Sequence, residues 1–229
     1  ATAYFDQWLM IFPTELRSSA QYDLGNRLRR TLVLRYGINQ ILHKRWRAGL
    51  DIELVGQWGL LSTPFHRVYF DDKAEPSVER LPSERYKIPV SAWVNWAAHE
   101  KLSLHLDSRL YYDSWGIAAS TSEFSFSYSP VFGLSLRPHV RFHIQSQALN
   151  FDDFMQHSSN LNFYTSDWDL SALHSYEVGL GLNFAPLYGK KKGSKSRAAF
   201  KYFSASFSYY ERSDGLWSYL FSAGLGFQL

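Results

Sequence analysis

The alternation of apolar and small or polar residues in the segment 217–229 is the feature that most constrains the fold. Apolar or small residues occupy every second position, namely Trp217, Tyr219, Phe221, Ala223, Leu225, Phe227 and Leu229. The positions between them are mostly Ser, Gly or Gln, and Leu220 is the exception. A period of two predicts a β-strand with one oily face and one polar face. A tilted strand of about ten residues is long enough to cross a bilayer.

The same alternation recurs along the chain and predicts a set of similar strands. These lie at 28–39, 47–61, 88–99, 102–113, 121–130, 134–146, 174–185, 200–211 and 217–229. A weaker segment at 14–22 would make ten, and residues 1–13 are expected to be a lead-in or an incomplete strand. We therefore predict an all-β, antiparallel transmembrane β-barrel of about ten strands, forming one domain over residues 1–229.

Strand length and aromatic placement favour a membrane barrel over a soluble sandwich, which also alternates. Soluble strands are typically about 5–6 residues long, and these are nearly twice that. The mean hydropathy is only −0.28 although 17% of the residues are aromatic, as expected when half of each strand is polar. Six aromatic residues near strand ends are expected to lie at the membrane interfaces. They are Trp46, Trp58, Trp96, Trp115, Trp217 and Phe227.

The predicted connections alternate in length. Short ones fall at 40–46, 100–101 and 131–133, and longer ones at 62–87, 114–120 and 147–173. With the C-terminus in the periplasm, the short turns are periplasmic and the long loops lie outside the cell. The turn 186–199 carries a basic run and is expected to be solvated. Its basic residues do not interleave with aromatics on one face, so nucleic acid is not an expected partner.

Several segments resemble a known family. They are Arg67–Phe70, Leu81–Arg85, Arg109–Ile117, Leu136–Phe142 and Gln145–Gln147. The chain resembles, over residues 30–229, the predicted outer-membrane barrel family catalogued as domain of unknown function 3570. The resemblance implies integral localisation in the bacterial cell outer membrane, in contact with its lipid and lipopolysaccharide. It implies no activity, and members longer at the N-terminus make ten strands a lower bound.

Charged and imidazole side chains on the polar sides of the strands are expected to line the lumen. They are Arg35, Asp51, Glu53, His105, Asp107, Arg109, Glu123, Arg137, His139, Arg141, His143 and Glu177. Two interpretations remain open. The basic ladder Arg137 to His143 suits a pore that favours anions, whereas a salt-bridged plug would fill a narrow barrel. His139 and His143 are about 13 Å apart along a strand, too far for one metal ion.

The long loops carry acidic residues that raise the alternative of a site at the outer rim. They are Asp71, Asp72, Asp152, Asp153, Asp167 and Asp169, together with His157. An outer-rim hydrolase of the omptin type, or calcium binding, would use such residues. Aspartate is also common in turns, and no motif joins these positions. We therefore expect no catalytic residues, no metal and no cofactor.

The expected role follows from the barrel. It is a structural or assembly subunit, or a narrow porin-like conduit with a charged lumen. The outer loops and the turn 186–199 are candidate surfaces for envelope protein partners. The segment Asp113–Ile117 is interpreted as structural, with Trp115 anchoring the interface and Gly116 allowing the turn.

Overall fold

The computed structural model of the protein describes residues 1–9, 28–185 and 199–228. Its β-strands are β1 Thr2–Leu9, β2 Leu28–His43, β3 Trp46–Gly59, β4 Arg67–Val68, β5 Ser77–Val78, β6 Glu84–His99, β7 Leu102–Asp113, β8 Ala118–Tyr128, β9 Leu134–Gln145, β10 Leu173–Phe184, β11 Ala199–Arg212 and β12 Trp217–Gln228. A single 3₁₀ turn is described, at Trp168–Leu170. Within these ranges, no helix has the length and apolarity needed to span a membrane.

Ten of the strands form one antiparallel sheet. The order is β1-β2-β3-β6-β7-β8-β9-β10-β11-β12, so each strand pairs with its neighbours in the chain once the small hairpin β4–β5 is set aside. Apart from β1, the strands of this sheet are 11 to 16 residues long. The predicted all-β, antiparallel fold of the barrel type is confirmed. Within the described residues, β1 and β12 are the two ends of the order.

The N-terminal segment contains a strand where the sequence suggested only a lead-in or an incomplete strand. β1 pairs with the first half of β2, from Thr2 opposite Arg35 to Leu9 opposite Leu28. Alternation did not reveal it because apolar residues stand on both of its sides, including the adjacent Tyr4 and Phe5. The strand predicted at 14–22 lies outside the described residues, as do Leu229 and the basic run of the turn 186–199.

The sheet has two chemically different faces, which we call the apolar face and the polar face. Leu50, Leu106 and Phe207 belong to the apolar face and keep 41%, 46% and 50% of their surface exposed. Side chains in register continue the face from strand to strand, as with Leu106 opposite Phe124. A soluble sandwich would bury this face, and here it stays uncovered.

The two ends of the sheet differ in their connections. At the turn end, β2 joins β3 and β6 joins β7 through two residues each. At the loop end lie two long loops, 60–83 and 146–172, and two tight turns, 114–117 and 213–216. The longer connection predicted at 114–120 is therefore wrong, because β8 already begins at Ala118. Gly116 has a φ of +88°, which confirms its expected role in the turn.

The buried hydrophobic residues of the described chain lie in the long loops and the adjoining strand ends. Leu61, Leu81 and Trp115 form one buried cluster, and Ile117, Ala148 and Phe151 form another. Backbone hydrogen bonds join the loops to each other, since Arg80 and Tyr164 exchange both of theirs. The long loops are thus folded against each other and against the loop end of the sheet.

Candidate functional site at the polar face and the long loops

All twelve residues predicted to line a lumen project from the polar face. The strand register sets charged residues opposite each other, as with Arg35 and Glu53 or Arg141 and Glu177. Their apolar neighbours project from the other side, because successive side chains of a strand alternate. The twelve residues come from six strands, namely β2, β3 and β7 to β10. Ser91 of β6 lies on the same face, between β3 and β7.

A first ion-pair network joins β2, β3 and β7. Arg35 lies 3.1 Å from Asp51 and 3.6 Å from Glu53. Arg109 reaches Glu53 at 3.7 Å, passing over Ser91 of the intervening strand β6. This contact between strands that are not neighbours is possible because β6 carries a small side chain at that level.

A row of polar residues crosses β7 to β11. Asp107, Glu123, Arg141, Glu177 and Tyr210 stand in register, one on each strand. Asp107 and Glu123 are like charges facing each other, an arrangement that is unfavourable unless cations lie nearby. Arg137 supplies one, at 3.9 Å from Glu123, and Arg141 is Glu123's partner in the register on β9.

The three histidines of the polar face have separate partners. The ring of His139 lies 3.4 Å from Glu177 and occupies the space over Gly179, where a Cβ would stand 2.3 Å from it. His143 contacts Thr121 at 2.8 Å, and His105 contacts Asn95 at 2.7 Å. Each ring is therefore used in its own polar contact rather than directed at a common point.

Five of the six predicted interface aromatics lie at the two ends of the strands. Trp46 and Trp96 stack at the turn end with ring centroids 5.2 Å apart, and Phe227 lies at the same end of β12. Trp58 and Trp217 lie at the loop end, where the indole N–H of Trp58 donates to the hydroxyl of Tyr86 at 3.2 Å. They form two bands, one at each end of the apolar face.

Trp115 does not belong to these bands, and the prediction that it anchors the interface is wrong. Only 4% of its surface is exposed. Its indole N–H donates to the Glu84 carbonyl at 3.0 Å, and the guanidinium of Arg85 lies 4.1 Å from its ring centroid. The long loops cover this turn, so the ring is packed in a protein interior and does not face a membrane interface.

Polar-face residues of three strands hold the long loops at the loop end. Arg29 of β2 donates to the carbonyls of Leu60 and Leu61 at 3.2 and 3.1 Å. Gln145 of β9 donates to two carbonyls of the loop 146–172, those of Asp169 and Ser171. Arg212 of β11 lies 2.7 Å from the Asp169 carboxylate. β2 is far from β9 and β11 in the order of the sheet, so the loops are held at two distant points of the loop end.

The acidic residues predicted at the outer rim are not gathered into one site. Asp72 accepts hydrogen bonds from the backbone amide and the hydroxyl of Ser159. The hydrogen bond from the amide is the main cause that holds the pKa of this carboxyl below its usual range. Asp152 lies 3.7 Å from the buried ring of His157. The Asp71 and Asp153 side chains are exposed. Asp169 pairs with Arg212.

Asp167 instead joins two residues that sequence reasoning missed. The imidazole Nδ1 of His66 lies 3.6 Å from Asp167 and 3.7 Å from Glu79. His66 directly precedes β4 and Glu79 directly follows β5, so the hairpin places them opposite each other. The only signal in the sequence would have been the β4–β5 pairing, which two-residue strands do not reveal.

Comparison with known proteins places the chain in a family. Residues 3–216 match the family described as Protein of unknown function (DUF3570), which spans most of the chain. The chain belongs to this family. The resemblance expected from its sequence segments is thereby confirmed, whereas no curated protein matches this DUF3570 member.

Among solved structures, the crystal structure of Acinetobacter baumannii OccAB3 is similar to this DUF3570 member. The sequence identity is 9% and the TM-score is 0.46. The aligned part covers 87% of this chain and 48% of that chain. The chain therefore spans about half the length of the structure it matches.

Proposed function

We propose that this DUF3570 protein is an integral outer-membrane β-barrel enclosing a narrow polar conduit, which the long loops restrict at one end. The observation that carries the proposal is the division of the sheet into an exposed apolar face and an ion-paired polar face. Lipid would contact the first, and water and ions the second. We propose no catalytic role for the chain.

The spacing of the aromatic bands supports a membrane setting. Trp46 and Trp58 lie near opposite ends of β3, twelve residues apart. At about 3.3 Å per residue and a tilt of about 40°, this separation corresponds to about 30 Å across the membrane. That matches the hydrocarbon thickness of a typical bilayer, about 30 Å. The apolar side chains between the bands would contact membrane lipid, and the loop end would face the lipopolysaccharide.

The strand directions are compatible with closure of the barrel. β1 runs toward the loop end and β12 runs away from it, so the two ends of the sheet order can pair in the antiparallel sense. Closure would satisfy the backbone groups of both edges, which cannot remain unpaired in hydrocarbon. We therefore infer that β1 and β12 meet in the membrane.

The ion-paired polar face supports a narrow conduit rather than a wide channel. Barrels of about eight to ten strands leave little room beyond their own side chains. Here both signs of charge are present and are paired across strands, as with Arg35 and Asp51. The long loops, held by Arg29, Gln145 and Arg212, narrow the loop end further. Such an interior suits small ions and water.

Single-channel conductance in planar bilayers tests this proposal. The folded chain should give small, discrete conductance steps. Replacing Arg141 with Glu should shift the ion preference toward cations, because Arg141 lies opposite Glu123 and Glu177 near the middle of the polar face. Arg141→Lys is the matched control and should leave the preference unchanged. Folded protein that inserts into the bilayer without any conductance step would contradict the proposal.

A second candidate, an assembly subunit, is favoured by exposed aromatic residues in the long loops. The rings of Tyr69 and Phe154 pack together at 5.1 Å yet keep 41% and 63% of their surfaces exposed. Exposed apolar patches of this kind often mark protein interfaces. Complexes purified from native membranes should lose a partner on Phe154→Ser but not on Phe132→Ser, an exposed aromatic at the turn end. Purification as a lone monomer in every mild detergent would contradict this role.

A further inference from the structure

We propose that His66, Glu79 and Asp167 form a binding site for a divalent transition-metal ion of the zinc class, which joins the two long loops. One ligand atom from each residue lies within 4.8 Å of the others. His66 and Glu79 belong to the loop 60–83, and Asp167 belongs to the loop 146–172. This inference stands apart from the conduit proposal, because the site is in the loops and not on the polar face.

The spacing of the three ligand atoms suits one small ion. Zinc bonds to nitrogen and oxygen are about 2.0–2.2 Å long, so two ligands of a tetrahedral ion lie roughly 3.3–3.5 Å apart. The imidazole Nδ1 of His66 is 3.7 Å from the Glu79 carboxylate and 3.6 Å from that of Asp167. Contraction by a few tenths of an ångström would bring both carboxylates to this spacing from His66, and the ligand atoms of the two carboxylates lie within 4.8 Å of each other.

Neighbouring groups already orient both carboxylates. The Thr63 amide donates to Oε2 of Glu79 at 2.6 Å, and the hydroxyl of Thr165 donates to Oε1. The same Thr165 oxygen accepts from the Asp167 amide at 3.0 Å. The amide of Asp169 binds Oδ1 of Asp167, which leaves Oδ2 facing His66. Hydrogen bonds of this kind to the ligands of metal sites fix their geometry.

A cation would also balance the charges of the cluster. The Glu79 side chain is only 1% exposed, and within the described ranges His66 is the sole basic side chain within 4.0 Å of Glu79 or Asp167. Arg29 interacts with Glu79 only at longer range. The Nδ1 atom of His66 is buried without a hydrogen-bond partner. Buried charges and polar atoms are normally paired or bound to a metal, and an ion at this point would serve all three groups.

The donor set indicates the class of the ion. Imidazole nitrogen with two carboxylate oxygens suits Zn²⁺ and its transition-metal neighbours. Calcium and magnesium prefer oxygen ligands alone, so the calcium binding considered for the loops is not favoured here. The side chain of Asp167 is 24% exposed, so solvent reaches this side of the cluster and can supply a water ligand. Such an ion would fix one long loop to the other.

Metal titration of the full chain, folded in detergent and stripped with a chelator, tests the site. Competition with a chromophoric chelator should give one Zn²⁺ per chain. His66→Ala, Glu79→Gln and Asp167→Asn should each weaken Zn²⁺ binding by about 100-fold or more. The matched controls His99→Ala, at the turn end, and Asp153→Asn, in the same loop as Asp167, should bind as the unaltered chain does.

Three results would overturn the proposal. The first is that the folded chain does not bind Zn²⁺ stoichiometrically. The second is that the control variants lose as much Zn²⁺ affinity as the ligand variants, and the third is that the chain prefers Ca²⁺ to Zn²⁺. Heat-modifiable migration on gels verifies that each variant is folded. Because Glu79→Gln and Asp167→Asn keep the size of the side chain, they separate loss of a ligand from loss of the loop structure. Conductance measured in parallel distinguishes failure of this site from failure of the conduit.

Discussion

Arg85 and Asp113 form a buried ion pair at the loop end of the polar face. The guanidinium Nε donates to Oδ2 of Asp113 at 2.8 Å, and the aspartate side chain has no exposed surface. The hydroxyl of Tyr111 donates to the same oxygen at 2.6 Å. Oδ1 accepts the amides of Trp115 and Ile117, both at 3.0 Å. The carboxylate thus connects β6, β7 and the tight turn 114–117.

Replacing Asp113 with Ala should therefore destabilise the fold strongly. Removing one partner of a buried pair leaves the other charge uncompensated and costs about 3–5 kcal/mol. Asp107→Ala is the control, because no cation lies within 4.0 Å of Asp107 in the described part of the chain and its change should stay within about 0.5 kcal/mol. Urea unfolding in lipid vesicles, followed by tryptophan fluorescence, measures both. Equal effects would show that the pair is unimportant.

Sequence alternation predicted the strands well and the loop end poorly. Period two is a local property, so it identified strands such as β3 and β9 directly. It gave no sign that Trp115 is buried, because that depends on loops distant in the chain. β1 was expected only as a lead-in or an incomplete strand, because Tyr4 and Phe5 obscure its alternation.

The cluster of His66, Glu79 and Asp167 could not be predicted from the sequence either, because it also depends on contacts between distant segments. His66 and Glu79 meet only because β4 pairs with β5, and Asp167 joins them from the other long loop. Neither the spacing nor a motif brings these three together. Of the acidic residues selected from the predicted outer loops, Asp167 belongs to the cluster. The side chains of Asp71 and Asp153 are exposed and lie outside it.

The contact between Asp72 and Ser159 should depend on pH. Hydrogen bonds, led by that from the Ser159 amide, depress the pKa of Asp72 in the folded chain below its ordinary value of 3.8. A carboxyl group whose pKa is lower in the folded than in the unfolded chain stabilises the fold. This stabilisation is complete above the pKa of the unfolded chain and is lost as the pH falls through the pKa of the folded chain. The contact should thus be intact at neutral pH and break in acid, below about pH 4.

Hydrogen exchange of the Ser159 amide measures this effect. Asp72→Ala should speed exchange relative to the unaltered chain at about pH 6, and the difference should shrink at about pH 3. Asp71→Ala is the neighbouring control and should change little, because the Asp71 side chain is exposed. A difference between Asp72→Ala and the unaltered chain that stayed constant with pH would refute the assigned titration.

Closure of the barrel can be tested by disulfide formation, since the sequence has no cysteine. Phe5→Cys, on the apolar face of β1, is combined in four double variants with one cysteine on β12. The β12 substitutions are Tyr219→Cys, Phe221→Cys, Ala223→Cys and Leu225→Cys. Residues opposite each other on paired strands have Cβ atoms about 4.5–5.5 Å apart. We expect one combination to cross-link within a single chain, as seen by a shift on non-reducing gels.

The control for closure places the first cysteine at Leu34 of β2, one strand further from β12. It should not cross-link with any position on β12. Cross-links that form only between two chains would instead indicate that another copy covers the free edges, and the closed monomer would be wrong.

Placing an arginine on the apolar face distinguishes lipid from water as its surroundings. Leu106 lies near the middle of β7 with 46% of its surface exposed, and the adjacent His105 lies on the polar face. An arginine facing lipid near the bilayer centre costs about 2–4 kcal/mol, whereas at a site exposed to water the change is usually within about 0.5 kcal/mol. Leu106→Arg should therefore lower the free energy of unfolding in vesicles by the larger amount, and His105→Arg by much less. If both variants unfold with the same free energy as the unaltered chain, the apolar face is not in contact with lipid.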